Sequence, residues 1–154
     1  MKRFPALAAV RLGCVQYLNS RPLIHAYPGP VHFDHPAGLA RGLARGELDV
    51  ALVPVFEALR SPGYLAVDEV AIACRGPVFS VFLAHRGPLA EVRTIALDPA
   101  SLTSVHLLKV LLAEFHGLFP EFVPWNESAA ADALLLIGNQ AIAFRTSAAS
   151  ADYQ

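Results

Sequence analysis

Charge is scarce: Asp, Glu, Lys and Arg make up 16% of the 154 residues, with a formal net charge of -1. No basic run appears, so the electrostatic footprint of a nucleic-acid binder is missing. Only two cysteines are present, Cys14 and Cys74. Neither belongs to a paired motif and both sit in apolar, strand-like patterns, so they read as reduced core residues rather than metal ligands. The histidines, at positions 25, 32, 35, 85, 106 and 116, lack metal-ligand spacing. There is no G-x-G-x-x-G after the first strand and no G-x-x-x-x-G-K, which leaves a dinucleotide or nucleoside triphosphate cofactor unsupported. A G-x-S-x-G elbow is also lacking. The apolar runs stop short of the ~18 residues that a membrane span needs. Near the N-terminus, FPALAAV is short, broken by Pro5 and closed by Arg11. Residues 1–9 are expected to be a frayed lead-in rather than a secretion signal.

What the chain does have is apolar surface. Hydrophobic residues make up 55%, too many for disorder and enough to bury strands on both faces of a parallel or mixed sheet. The stretch Val10 to Leu23 sets the pattern: an apolar strand (10–15) breaks at Gln16-Tyr17-Leu18-Asn19-Ser20 and passes into a helix over 21–27. Asn19 or Ser20 can cap that helix and Pro22 suits its first turn. Such a turn places backbone N–H groups and short polar side chains at the carboxyl edge of a sheet, where ligands bind in open α/β proteins. The alternation continues with a strand (31–34), a helix (36–45) closed by Gly46, a strand (50–53) and a helix (55–59). Gly38 and Gly42 in the second helix imply close packing. Residues 64–67 and 69–74 read as further strands, followed by an apolar strand (78–83) that holds Ser80.

A second α/β unit opens near residue 92. It reads as a strand (94–97), a polar loop with Ser101, Thr103 and Ser104, and a helix (105–116). Thr103 or Ser104 would cap this helix, and Leu107, Leu108, Leu111, Leu112 and Phe115 would form its buried stripe. Strands at 121–124 and 133–137 follow, the latter ending at Gly138-Asn139-Gln140. The expected organisation is a first α/β lobe over 1–90, a partial second lobe over 91–145, and a frayed, irregular tail over 146–154, with a cleft between the lobes. Asn19, Ser20, Ser80, Ser101, Thr103, Ser104 and Asn139 make a polar, weakly charged set suited to a small anionic ligand. Asp34, Asp49 and Asp98 read as loop or cap hydrogen-bonders. The residues alone carry the inference no further than this ligand class.

Several stretches together resemble a known family. They are LGCVQYLNSRPL at 12–23, GLARGELDVALVPVFEAL at 42–59, residues 71–112, and ADALLLIGNQAI at 131–142. In order and spacing they are similar to the chorismate dehydratases of the futalosine route to menaquinone. The resemblance implies an α/β fold of the periplasmic-binding-protein-like type II, incomplete in this chain, and a cytoplasmic enzyme with no metal or organic cofactor. It implies chorismate as the small-molecule substrate, with neither nucleic acid nor membrane as partner. Loss of water would give 3-[(1-carboxyvinyl)oxy]benzoate. Asn19 and Ser80 then stand at the catalytic positions, and Tyr17, Ser20, Ser101, Thr103, Ser104 and Asn139 at substrate-binding ones. Asn139 replaces the family's usual aspartate. Family chains continue well beyond the segment that ends here at 142, so a small-carboxylate binder or an inactive fragment stays open as an alternative. A homodimer stays open too. The related dihydroxynaphthoate synthases fit the Tyr17-Leu18-Asn19-Ser20 motif less well.

Overall fold

The computed structural model describes residues 8–67, 70–98, 102–125 and 131–154. The chain divides into two compact units, Met1–Ala73 and Cys74–Gln154. The division falls well before residue 90 because the strand at 81–85 hydrogen-bonds into the second unit's sheet.

The first unit runs β1 (Leu12–Cys14), a 3-10 turn at Leu18–Ser20, α1 (Arg21–Ile24), β2 (Val31–Phe33), α2 (Pro36–Ala44), β3 (Val50–Ala51) and α3 (Val55–Arg60). Its sheet is parallel, in the order β2-β1-β3. Short connections and the right-handed crossover rule favour this arrangement. Leu39, Leu48 and Val15 form its core. Gly13 in β1 is needed by that core. A Cβ there would lie 2.7 Å from Leu48 Cδ1 and 2.8 Å from Leu39 Cδ2. The close packing expected at Gly42 is against Leu48, and at Gly38 against the Asp34 carboxylate. β2 and β3 are only partly buried. Burial on both faces therefore does not extend to this sheet's edges.

The second unit runs β4 (Val81–His85), β5 (Thr94–Leu97), α4 (Leu102–His116), β6 (Glu121–Pro124), β7 (Ala133–Ile137) and α5 (Gly138–Thr146). Its mixed sheet has the order β4-β7-β5-β6. β5 is parallel to β6 and β7, and β4 is antiparallel to β7. Ile95, Ala133 and Leu135 pack on Leu108 and Leu112 of α4.

Four expectations are corrected. α4 buries Leu108 and Leu112, whereas Leu107, Val110, Leu111 and Phe115 are exposed. The helix is apolar nearly all round, and the sheet covers one side of it. Residues 64–67 and 70–74 form no strand, because among the described residues no neighbouring strand supplies their backbone hydrogen bonds. Cys74 is accordingly exposed, whereas Cys14 is buried, and both are free thiols. The tail is docked rather than frayed: Gln154 exchanges both backbone hydrogen bonds with His85 on the edge strand β4. Tyr153 packs edge-on against Phe144 at 5.2 Å, with the Arg86 guanidinium over its ring. Residues 138–146, which follow the strand over 133–137, are helical.

Each unit pins the amino ends of its strands with one aspartate. Asp49, just before β3, accepts hydrogen bonds from the Arg11 backbone N–H (2.8 Å) and Nε (3.0 Å) at the start of β1. Asp132, just before β7, accepts from the N–H groups of Arg93 and Thr94 (both 2.9 Å) and from the Thr94 hydroxyl (3.1 Å). The Arg11 side chain, then its N–H, holds the Asp49 carboxyl at about 2. The Arg93 N–H, then the Thr94 groups, lowers that of Asp132. A carboxyl whose pKa is lower in the folded than in the unfolded chain stabilises the fold above its unfolded value, and that contribution is lost as pH falls toward the folded value. Urea midpoints should therefore hold steady from neutrality to about pH 5 and fall between about pH 4 and 2, with a smaller fall in Asp49→Asn. A midpoint that does not change through that window would contradict this.

Candidate functional site

The polar residues singled out in the sequence gather at the carboxyl ends of the parallel strands, opposite the aspartate-pinned ends. In the first unit, β1 delivers Val15 to Ser20. Asn19 is exposed, and its amide hydrogen-bonds to no protein group among the described residues. Ser20 differs. It is fully buried, and its hydroxyl donates to the carbonyls of Val15 (2.8 Å) and Tyr17 (2.7 Å). Neither the 3-10 turn nor α1 has a side-chain cap, so the expected capping by Asn19 or Ser20 does not occur. The Ser20 hydroxyl instead shapes the turn that presents Asn19. Tyr17 is half-buried against the core. Arg21, which the sequence reading passed over, lies over the Phe33 ring at 4.7 Å and places a cation at this edge.

In the second unit, β4 begins where β7 ends. Ser80 immediately precedes β4, and its carbonyl accepts the Gly138 N–H at 2.8 Å. Gly138 makes the turn from β7 into α5 with a φ of 57°, a left-handed conformation that side chains resist. The β7–α5 junction thereby brings the Ser80 backbone onto Gly138, the residue before Asn139. Neither the Ser80 nor the Asn139 side chain hydrogen-bonds to a protein group among the described residues.

The neighbouring strand β5 is followed by Asp98, which is buried and engaged within the protein. α4 starts at Leu102, so Thr103 and Ser104 lie in its first turn rather than at a cap. Ser104 makes no side-chain hydrogen bond among the described residues, whereas Thr103 is engaged. Ser101 lies outside the described residues. A depression of about 340 Å³ opens at the ends of β5 and β6, walled by Asp98, Leu102, Val105, Lys109 and Phe122. Lys109, at an exposed position of α4, holds its ammonium 4.9 Å from the Phe122 ring. A long-range ring partner of this kind leaves no local sequence signal.

The second unit thus gathers Ser80, Asn139, Thr103 and Ser104 along one sheet edge, and the first presents Tyr17 and Asn19 along its own. The two carboxylates with lowered pKa, Asp49 and Asp132, lie at the opposite strand ends with backbone partners, which marks them as structural. Of the gathered residues, the hydroxyls of Ser80 and Ser104 and the amides of Asn19 and Asn139 make no hydrogen bond to protein among the described residues, and such groups are suited to bind oxygen atoms of a polar ligand.

A family model described as menaquinone biosynthesis matches residues 10–153. The chain belongs to the menaquinone-biosynthesis family. This family member is 36% identical over 139 residues to the chorismate dehydratase of Thermus thermophilus, an alignment that takes in 85% of this chain and 51% of that one. It spans about half the length of the curated relative it matches. Among solved structures it resembles a chain of the ATP phosphoribosyl transferase (HisG:HisZ) complex from Thermotoga maritima, with a TM-score of 0.52 and 13% identity, covering 88% of this chain and 77% of that one. At that identity the likeness speaks for the α/β fold alone. No described helix is long and apolar enough to cross a membrane.

Proposed function

We propose that the chain has the activity of its relative, chorismate dehydratase, on a fold of the periplasmic-binding-protein-like type II, as a cytoplasmic enzyme of menaquinone biosynthesis. One observation carries this reading. The side chains at the family's ligand positions, Asn19, Ser80, Ser104 and Asn139, stand at carboxyl strand ends with their polar atoms uncommitted to protein among the described residues.

The chemistry suits such neutral groups. A ring C–H bond and the ring C–O bond of chorismate break, the proton and hydroxide leave as water, and the ring becomes aromatic as 3-[(1-carboxyvinyl)oxy]benzoate. Aromatisation supplies the driving force, so the protein's contribution is geometry and charge stabilisation. The Asn19 amide would donate to the departing hydroxyl. The Ser80 hydroxyl, with Ser104 and Thr103, would hold carboxylate oxygens. The enolpyruvyl carboxylate of the substrate itself would accept the proton, which assigns no basic role to the protein's amides and hydroxyls.

The test is incubation of the purified protein with chorismate and chromatographic detection of the product. Product formation that is lost in Ser80→Ala supports the reading, and its absence from folded protein overturns it. A second reading, binding of a small carboxylate without turnover, is favoured by the same neutrality of the uncommitted groups. A calorimetric titration showing chorismate binding without product would select it.

A further inference from the structure

We propose that Arg145 is a positioning residue that clamps the Ser80 turn in its ligand-ready shape, an inference that rests on the role proposed for Ser80. Residues 75–80 pass through turns with little burial, and Phe79 is exposed. Four contacts bear on their end. The Gly138 N–H donates to the Ser80 carbonyl. The Arg145 guanidinium lies 4.8 Å from the centre of the Phe79 ring and 4.3 Å from that of Phe82. Phe82 is in turn 6.3 Å from Phe144. Phe79 and Phe82 flank Ser80 in the sequence, and both Gly138 and Arg145 belong to α5. One helix therefore holds the Ser80 backbone at its first residue and the rings on either side of it from its last turn.

Phe82 is fixed by β4, whereas Phe79 sits in a turn and has no ladder hydrogen bonds. A guanidinium is planar, permanently charged and weakly hydrated, and it stacks on aromatic faces, as an ammonium does less well. Placed against both rings, it ties the mobile side of Ser80 to the fixed side. Without it, the turn would sample other conformations, and ligand affinity would fall in proportion to the ligand-ready fraction.

The test compares Arg145→Ala, Arg145→Lys and Phe79→Leu with the parent in two measurements. The first is amide hydrogen exchange at Gly138, whose N–H donates to the Ser80 carbonyl. It should rise about fivefold or more in Arg145→Ala and in Phe79→Leu, and less in Arg145→Lys, with β5 and α4 unchanged. The second is the dissociation constant for chorismate, which should weaken about tenfold in Arg145→Ala and Phe79→Leu and be partly restored in Arg145→Lys. Unchanged exchange in Arg145→Ala overturns the clamp. So does weakened chorismate binding in Arg145→Ala with parental affinity in Phe79→Leu, which would make Arg145 a direct ligand to the substrate. If the parent itself fails to bind chorismate, the functional reading falls and the exchange comparison still decides the clamp.

Discussion

Chorismate turnover by the Asn19→Ala protein is expected to fall about 100- to 1,000-fold, the range that follows removal of one preorganised donor to developing negative charge. The structure separates this loss from any loss of stability. Asn19 is exposed, and its amide makes no hydrogen bond to described protein groups, so the fold loses no contact and the thermal midpoint should stay within the effect of an ordinary surface substitution, about 0.5 kcal/mol. Ser20→Ala should behave in the opposite way. It leaves the Val15 carbonyl without its donor, while the Tyr17 carbonyl keeps the Ser20 backbone N–H, and costs about 1–3 kcal/mol of stability, with activity falling only as the turn beneath Asn19 loosens. Paired measurements of kcat and of thermal midpoint on the two variants check both halves. An Asn19→Ala protein with parental kcat would remove Asn19 from the chemistry.

Leu112→Ala should cost about 2–5 kcal/mol, whereas Leu111→Ala, one position away on the same helix, should change stability by about 0.5 kcal/mol or less. Leu112 is 3% exposed and packs among Ile95, Leu108 and Leu135, so its truncation leaves a cavity against a sheet that cannot close over it. Leu111 is 41% exposed and faces away from that core. Chemical denaturation of the two variants decides the matter. Equal losses would mean that α4 lies on its sheet with a different face. The exposed row of Leu107, Val110, Leu111 and Phe115 also predicts that Leu111→Lys improves solubility at little cost in stability, which light scattering at rising concentration would read.

Much of this architecture was legible because its signals are local. The strand boundaries at 94–97 and 121–124 coincide with the apolar runs, and α2 and α4 end at Gly46 and Gly117, each in a left-handed conformation. Where the reading went astray, the deciding contact was distant. A helix with leucine, valine or phenylalanine at 107, 108, 110, 111, 112 and 115 does not reveal which face its sheet will cover. Residues 64–67 and 70–74 have the composition of strands, but a strand also needs a neighbour. The helix at 138–146 starts from Gly138, which makes the sharp turn out of β7.

The candidate site followed the same rule. Asn19 and Asn139 are recognisable as short polar residues at strand ends, whereas Ser80 reads as lying inside a strand over 78–83 and in fact precedes β4. Their separation from Ser20 was not legible, because it depends on which hydroxyl the backbone claims. The contributions of Lys109 and Arg145 were hidden for a similar reason. Their ring partners lie 13 residues away for Lys109, and 66 and 63 residues away for Arg145.

The central claim is that a carboxylate ligand binds at the carboxyl ends of the strands through groups the protein leaves uncommitted. The most direct test is a chorismate titration of isotopically labelled protein followed by NMR. The account predicts saturable shifts at the side-chain amides of Asn19 and Asn139 and at the backbone amides of Ser80 and Ser104, with Arg11, Asp49, Thr94 and Asp132 at the opposite strand ends unmoved. Shifts confined to those opposite ends, or none at millimolar chorismate, would contradict it.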